Sequence, residues 1–191
     1  MVKKKQIVNR EEEETLSQGG DPAAVPRAHR RAGAHHRAAA AVLTVSDTRT
    51  AANDGGGDLL VAKLEEAGHQ VVERDWVVDE AEAIAARLDS WLADPRFNLV
   101  ITTGGTGIAR RDRTIELVQR RLDKELQGFG ELFRYLSYDQ VGAASMLSRA
   151  TGGLAGNKLL FALPGSPGAV ALALEKLLLP EMGHLLKHRE D

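Results

Sequence analysis

The stretch "NLVITTGGTGIARRDRT", residues Asn98 to Thr114, decides the fold. An apolar run ends at two threonines, a glycine-rich loop follows, and a group of arginines then surrounds Asp112. This order of residue types is typical of a buried strand that leads through a loop into a helix. Glycines let a backbone approach a bound group closely, and successive N–H groups can then face an anion. The stretch therefore predicts a buried strand with a binding loop at its carboxyl end.

On both sides of this strand, the pattern predicts strands that alternate with helices. The strands are continuously apolar, which is typical of a parallel sheet covered on both faces. We therefore predict a three-layer α/β/α sandwich with a mostly parallel sheet. Helix packing should flank irregular segments between Gly128 and Gly156. The further strands are "AAAVLTVS", "QVVERDWVV" and "KLLFALP". The helices are "DLLVAKLEEAGH", "DEAEAIAARLDSWLADP", "TIELVQRRLDKEL" with Thr114 as candidate N-cap and Leu122 on its apolar face, "GELFRYLSYDQ", and "SPGAVALALEKLL" with Ser166 as N-cap.

Composition separates the chain into two parts. The 191 residues include 43% hydrophobic residues, enough for one domain with a real core, which we place at residues 39–191. Residues 1–38 mix charge blocks with Gly, Pro and Ala, a composition that predicts a disordered N-terminal tail. The net charge of −2 argues against a nucleic-acid binder, and the lack of cysteine excludes disulfides. Without a membrane span or signal peptide in the pattern, we expect a cytoplasmic protein with no membrane contact.

Three loops of small and hydroxyl-bearing residues follow predicted strands. They are "VSDTRT" at 45–50, "TTGGTG" at 102–107 and "LPGSPG" at 163–168. The carboxyl ends of parallel strands meet at one edge of a sheet, where ligands bind in open α/β folds. Backbone N–H groups and hydroxyls there favour a phosphate-bearing ligand, although neither a Walker A nor a GxGxxG motif occurs. Three ordinary tight turns remain the alternative.

Two aspartates lie close to these loops in the predicted topology. Asp112 follows the glycine loop, and Asp79 lies where the second strand enters the first turn of its helix. In one interpretation, each is only an acid that complements a helix dipole. Alternatively, both carboxylates hold Mg²⁺ beside phosphate groups, which is a common arrangement for this ion.

Six segments together resemble the MoaB/MogA family of molybdenum cofactor biosynthesis proteins. Their sequences are closer to the MoaB branch than to MogA. The resemblance runs from about Val42 to about Leu186. It implies a molybdopterin-binding domain that adenylylates molybdopterin with ATP and Mg²⁺, giving adenylyl-molybdopterin and diphosphate. A non-catalytic molybdopterin-binding carrier or scaffold is the alternative. The segments are "LTVSDTRT", "DEAEAI", "TTGGTGIARRDRTIE", "KELQGFGELFRYLS", "MLSRATGG" and "ALPGSPGAV".

The resemblance also assigns residues and partners. Asp79 and Asp112 match the two aspartates that the family needs for Mg²⁺-dependent transfer. Family members form trimers or hexamers, so we expect a homo-oligomer, with a hexamer favoured and contacts to other molybdenum cofactor enzymes. Gly56 stands where the family usually has serine, and Arg113 where it has valine. The matched substrate-binding positions are Ser46, Asp47, Thr103, Gly104, Gly105, Thr106, Gly107, Thr114, Glu131, Ser137, Ser148, Arg149, Pro164, Gly165 and Ser166.

Overall fold

A six-stranded sheet forms the centre of the molecule, with strand order β2-β1-β3-β6-β5-β4. The computed structural model describes residues 23–33 and 35–189. The strands β2, β1, β3 and β6 run parallel, and β5 and β4 add an antiparallel edge. The mostly parallel sheet predicted from the sequence is therefore confirmed. The strands are β1 (Ala39–Val45), β2 (Gln70–Val77), β3 (Leu99–Thr103), β4 (Lys124–Glu125), β5 (Thr151–Ala155) and β6 (Lys158–Leu163).

Helices cover both faces of this sheet. Along β1, Val42 packs into a core with α2, α5, α6 and α7, whereas its neighbour Leu43 packs with α3 and α4. This alternation follows from the twofold period of strand side chains, and it confirms the three-layer arrangement. The helices are α1 (Ala24–Gly33), α2 (Gly55–Glu66), α3 (Ala81–Ala93), α4 (Thr114–Gln119), α5 (Gln127–Val141), α6 (Pro167–Ala173) and α7 (Leu179–His188), with a 3₁₀ turn at Gly142–Leu147 and a π turn at Leu174–Leu178. None of the described helices is long and apolar enough to cross a membrane.

The antiparallel edge corrects two predictions. The helix predicted over "TIELVQRRLDKEL" ends at Gln119, so Leu122 lies beyond it, and Thr114 is the first helical residue rather than the N-cap. The following backbone pairs with β5 instead, where a methyl group on Gly153 would lie 2.0 Å from the Lys124 carbonyl oxygen. Only glycine permits this approach, so the absent side chain at Gly153 admits the edge strand.

Part of the predicted disordered tail is also helical. Residues 24–33 form α1, which lies against α7, while residues 1–22 are outside the described part of the chain. A methyl group on Gly33 would lie 2.4 Å from the Gly183 carbonyl carbon, and Arg30 pairs with Glu181. The prediction was wrong for this segment because a local composition does not reveal such a docking surface on a distant helix.

Candidate active site

The three predicted loops meet at one cavity. It has a volume of about 590 Å³ and lies at the carboxyl ends of β1, β3 and β6. The three loops enclose a shared space at the edge of the sheet where open α/β folds bind their ligands, which favours a binding site. The cavity is lined by residues 44–49, 103–107 and 165–167 together with Asp54, Asp79 and Asp112.

The glycine loop after β3 needs its glycines for conformation as well as for space. Gly104 and Gly105 have φ angles of +96° and +61°, in the left-handed region that side chains disfavour. A methyl group on Gly104 would lie 2.2 Å from the Val45 carbonyl oxygen. The Gly104 N–H donates to the Leu163 carbonyl at 3.0 Å, so the loop is held between the ends of β1 and β6.

Asp79 and Asp112 both line the cavity, with their carboxylates close to each other. Each lies in a short connection just before its helix, so the prediction that Asp79 belongs to the first helical turn is wrong. Asp79 is 8% exposed, and its N–H donates to Asp47 Oδ1 at 3.1 Å. Burial and the neighbouring Asp112 carboxylate raise the pKa of Asp79 to about 6. Two neighbouring carboxyl groups, one with a strongly raised pKa, are typical of a cation site or of a pair that shares a proton.

The residues present fit Mg²⁺. Asp79 Oδ1 is buried without a hydrogen-bond partner, which leaves a lone pair available to a cation. Asp79 and Asp112 offer carboxylate oxygens, the kind of ligand atom that hard cations prefer. No cluster of three or more His, Cys, Asp or Glu side chains suited to a metal occurs in the described ranges.

Arg111 contacts two of the aspartates that line the cavity. Its Nη2 lies 2.9 Å from Asp47 Oδ2, 3.3 Å from the Asp79 carbonyl oxygen and 3.4 Å from Glu80 Oε1. Asp47, predicted to bind substrate, therefore also holds both the Asp79 backbone and this guanidinium. Arg111 is about half exposed, so its charge reduces but does not cancel the repulsion between the two aspartates.

Arg149 supports the glycine loop from behind. Its Nε donates to the Thr106 carbonyl at 3.0 Å, and its Nη2 donates to the Gly107 carbonyl at 2.6 Å. Its Nη1 lies 2.6 Å from Glu116 Oε1, and the charge-assisted bond lowers the pKa of that carboxyl against the opposing effect of burial. Arg149 was predicted to contact substrate, but its donors are already used within the protein. It therefore positions the loop that faces the cavity.

Replacing Arg149 with methionine should loosen this loop. We expect the amides of residues 104–107 to exchange with solvent about tenfold faster, because the loop carbonyls lose their fixed donors. Hydrogen exchange resolved by mass spectrometry or NMR measures this directly. Arg120→Met, which removes an exposed arginine just after α4, is the matched control. Equal loop protection in both variants would show that Arg149 does not position the loop.

Other predicted site residues lie outside the first cavity. The buried Ser137 donates its hydroxyl to the Phe133 carbonyl of its own helix at 2.7 Å. Ser148 lies at the end of the 3₁₀ turn, and the Pro164 carbonyl accepts from Thr103 Oγ1 at 3.1 Å. Glu131 lines a second cavity of about 550 Å³, which Arg149 also borders. Its other lining residues are Ile115, Gln119, Glu125, Gln127, Gly130, Arg134 and Ala150.

Asp54, which the sequence analysis did not single out, forms part of the cavity wall. It is 3% exposed and caps α2 by accepting from the Gly57 N–H at 2.9 Å. Burial opposes its charge, but donors from Thr44, Gly57, Arg74 and Trp76 hold the pKa of Asp54 below its usual value. An aspartate directly before three glycines was the available signal, since it is a common N-cap residue.

Gly56, which stands where the family usually has serine, lies in a crowded place. A methyl group on Gly56 would lie 2.5 Å from the Gly165 carbonyl oxygen. The start of α2 and the loop after β6 therefore approach closely at this position. Any side chain at Gly56 would require the Gly165 loop to shift.

The family is decided by comparison with known proteins. Residues 41–184 match the model of a family described as "Probable molybdopterin binding domain". The molybdenum cofactor biosynthesis protein B of Bacillus cereus is 50% identical over 139 residues, covering 72% of this chain and 82% of that protein. The chain belongs to the MoaB/MogA family.

Solved structures agree with this assignment of the MoaB/MogA chain. A crystal structure of a molybdenum cofactor biosynthesis protein B has a TM-score of 0.79 at 46% identity, covering 81% of this chain and 97% of that one. The tungsten cofactor synthesizing protein MoaB from Pyrococcus furiosus has a TM-score of 0.73 at 37% identity, with coverage of 81% and 98%. Both the resemblance and the fold predicted from the sequence are thereby confirmed.

Proposed function

We propose that this MoaB/MogA protein adenylylates molybdopterin with ATP in molybdenum cofactor biosynthesis. The observation that carries the proposal is the pair of neighbouring carboxylates, Asp79 and Asp112, beside the glycine loop. Relatives named as molybdenum cofactor biosynthesis proteins at about half identity support the pathway. As predicted from the sequence, we place the reaction in the cytoplasm.

The chemistry is a nucleotidyl transfer. A terminal phosphate oxygen of molybdopterin forms a bond to the α-phosphorus of ATP, and the bond from that phosphorus to the bridging oxygen breaks. The products are adenylyl-molybdopterin and diphosphate. The attacking phosphate is already ionised, so the protein needs no general base. Its contribution is to align the two phosphates and to neutralise their charge.

The residues of the cavity divide this work. The loop of residues 105–107 lines the cavity and would supply backbone N–H donors to phosphate oxygens, while Gly165 and Ser166 border the nucleotide side. Asp79 and Asp112 would hold Mg²⁺, which when bound supplies positive charge to the phosphates. Asp47 and Arg149 would keep the Asp79 backbone and the glycine loop in place.

We place the pterin in the second cavity. Glu131 and Gln127 line it and offer acceptors and donors suited to the edge of a pterin ring. Arg149 borders this cavity and bonds to the loop of the first, so a molybdopterin with its ring in one and its phosphate in the other would pass beside Arg149.

The test is diphosphate release by the full chain with ATP, Mg²⁺ and molybdopterin. We expect multiple turnovers that require all three components. A carrier would instead bind molybdopterin stoichiometrically without ATP dependence and release no diphosphate. That result would overturn the adenylyltransferase proposal and support the alternative.

An exposed apolar face supports the proposal of a homo-oligomer. Tyr135 and Tyr138 on α5 are 73% and 61% exposed, and Met146 in the following 3₁₀ turn is 77% exposed. Exposed apolar side chains that recur along one helix and the turn after it favour an interface. We propose that a second copy of the chain covers it, within a hexamer, with a trimer as the alternative. The other members of this face are Leu132, Val141 and Leu147.

Replacing Tyr135 with glutamate should dissociate the oligomer. A buried unpaired carboxylate is costly, whereas the same charge on a monomer surface is not. Analytical ultracentrifugation should show a monomer for Tyr135→Glu and the wild-type assembly for the matched control Asp139→Asn on the same helix. Unchanged sedimentation of Tyr135→Glu would place the interface elsewhere.

A further inference from the structure

Two buried oxygen atoms without hydrogen-bond partners face one small space beside Gly105. They are Thr114 Oγ1 and Asp79 Oδ1. Thr114 is 0% exposed and Asp79 is 8% exposed. Buried polar atoms are almost always paired, since leaving one unpaired costs a large part of its hydration free energy. Two unpaired oxygens at the same place therefore indicate a ligand that binds between them.

Glycine at position 105 keeps this space open. A methyl group on Gly105 would lie 2.3 Å from Thr114 Oγ1 and 3.0 Å from Asp79 Oδ1. The two oxygens thus converge on one point, and any side chain at Gly105 would occupy it. Asp112 approaches the same region, because its carboxylate is within hydrogen-bonding range of Asp79.

The backbone holds both side chains in position before any ligand binds. The Thr114 N–H donates to the Gly105 carbonyl at 3.1 Å, which fixes the start of α4 beneath the loop. The Asp79 N–H is held by Asp47 at 3.1 Å. The oxygens therefore lose little freedom on binding, as expected for a built site rather than a packing defect.

We propose that the Thr114 hydroxyl is a third protein oxygen of the divalent-cation site, together with Asp79 and Asp112. This inference rests on the metal site of the proposed function and deepens it. A threonine hydroxyl and two carboxylates form a hard, all-oxygen donor set that selects Mg²⁺ or Mn²⁺ over softer metals. A hydroxyl adds a ligand without adding negative charge, so it leaves room for anionic phosphates on the open side of the ion.

Mn²⁺ alone is the probe for this site. The metal-free full chain is titrated with Mn²⁺, without nucleotide, and free Mn²⁺ is followed by electron paramagnetic resonance. We expect Thr114→Val to weaken Mn²⁺ binding about tenfold or more, and Thr114→Ser to stay within about threefold of wild type. Asp79→Asn is the positive control for loss of a ligand. Valine keeps the branched shape and removes only an unpaired hydroxyl, so Thr114→Val should melt without metal at or above the wild-type temperature.

The outcomes separate this inference from the proposed function. Wild-type Mn²⁺ affinity in Thr114→Val, or no Mn²⁺ binding by wild type at millimolar metal, would overturn the role of Thr114. Equal weakening in Thr114→Val and Thr114→Ser would also overturn it, because serine retains the hydroxyl. Threonine-dependent Mn²⁺ binding without diphosphate release would uphold the site and remove only the adenylyltransferase activity.

Discussion

Replacing Asp112 with asparagine should lower the rate of diphosphate release about 100-fold or more. Asparagine can still accept the Ala109 N–H, which Asp112 Oδ2 accepts at 2.8 Å, so the loop before α4 keeps its conformation. What is lost is the negative charge that would hold Mg²⁺ against the phosphates. The measurement is the initial rate of diphosphate release at saturating ATP and molybdopterin over a range of Mg²⁺ concentrations.

Glu82→Gln is the matched control for the loss of one carboxylate. Glu82 is an exposed acid on α3, close in sequence to Asp79 but outside the cavity. We expect its variant to retain the wild-type rate. An Asp112→Asn protein with the same rate and Mg²⁺ dependence as Glu82→Gln would remove Asp112 from the reaction.

The sequence reveals this site because its signals are local. The residue types of "NLVITT" alone predict a buried strand, and the glycines after it favour a loop that approaches a bound group closely. Parallel topology then places the neighbouring loops at the same edge. Asp79 and Asp112 could be proposed as partners because each follows a strand whose end lies at that edge.

The role of Arg149 could not be predicted in the same way. Its acceptors include the Thr106 carbonyl, 43 residues away, and the direction of a guanidinium depends on packing that no local pattern encodes. The motif match predicted Arg149 as a substrate-binding position. Only the three-dimensional structure shows that its donors bind the loop.

The docking of α1 and the edge strand β4 also depend on contacts between distant parts of the chain. Arg30 and Glu181 are 151 residues apart, so the docking of α1 depends on a surface that forms only when the chain has folded. The edge strand β4 likewise depends on the missing side chain at Gly153 in its partner. Propensity predicted a longer helix there, and tertiary pairing overrode it.

Replacing Asp79 with asparagine should stabilise the metal-free protein at neutral pH, by about 1–3 kcal/mol, while abolishing its response to Mg²⁺. The pKa of Asp79 rises from 3.8 to about 6 on folding because of burial and the Asp112 carboxylate. The unfolded chain therefore loses this proton first. The folded state becomes less favourable as the pH rises from about 4 to 6, and the full cost is present above that range. Asparagine carries no charge and removes this cost.

Chemical denaturation at pH 4 to 8 measures the effect. The difference between Asp79→Asn and wild type should be small near pH 4, grow through pH 6 and then level off, whereas Glu82→Gln should follow wild type throughout. Added Mg²⁺ should raise the stability of wild type and leave Asp79→Asn unchanged, because only the carboxylate binds the ion strongly. A difference that does not vary with pH would mean that the ionised Asp79 is not strained in the folded protein. The raised pKa of Asp79 could then no longer support a cation site at the two carboxylates.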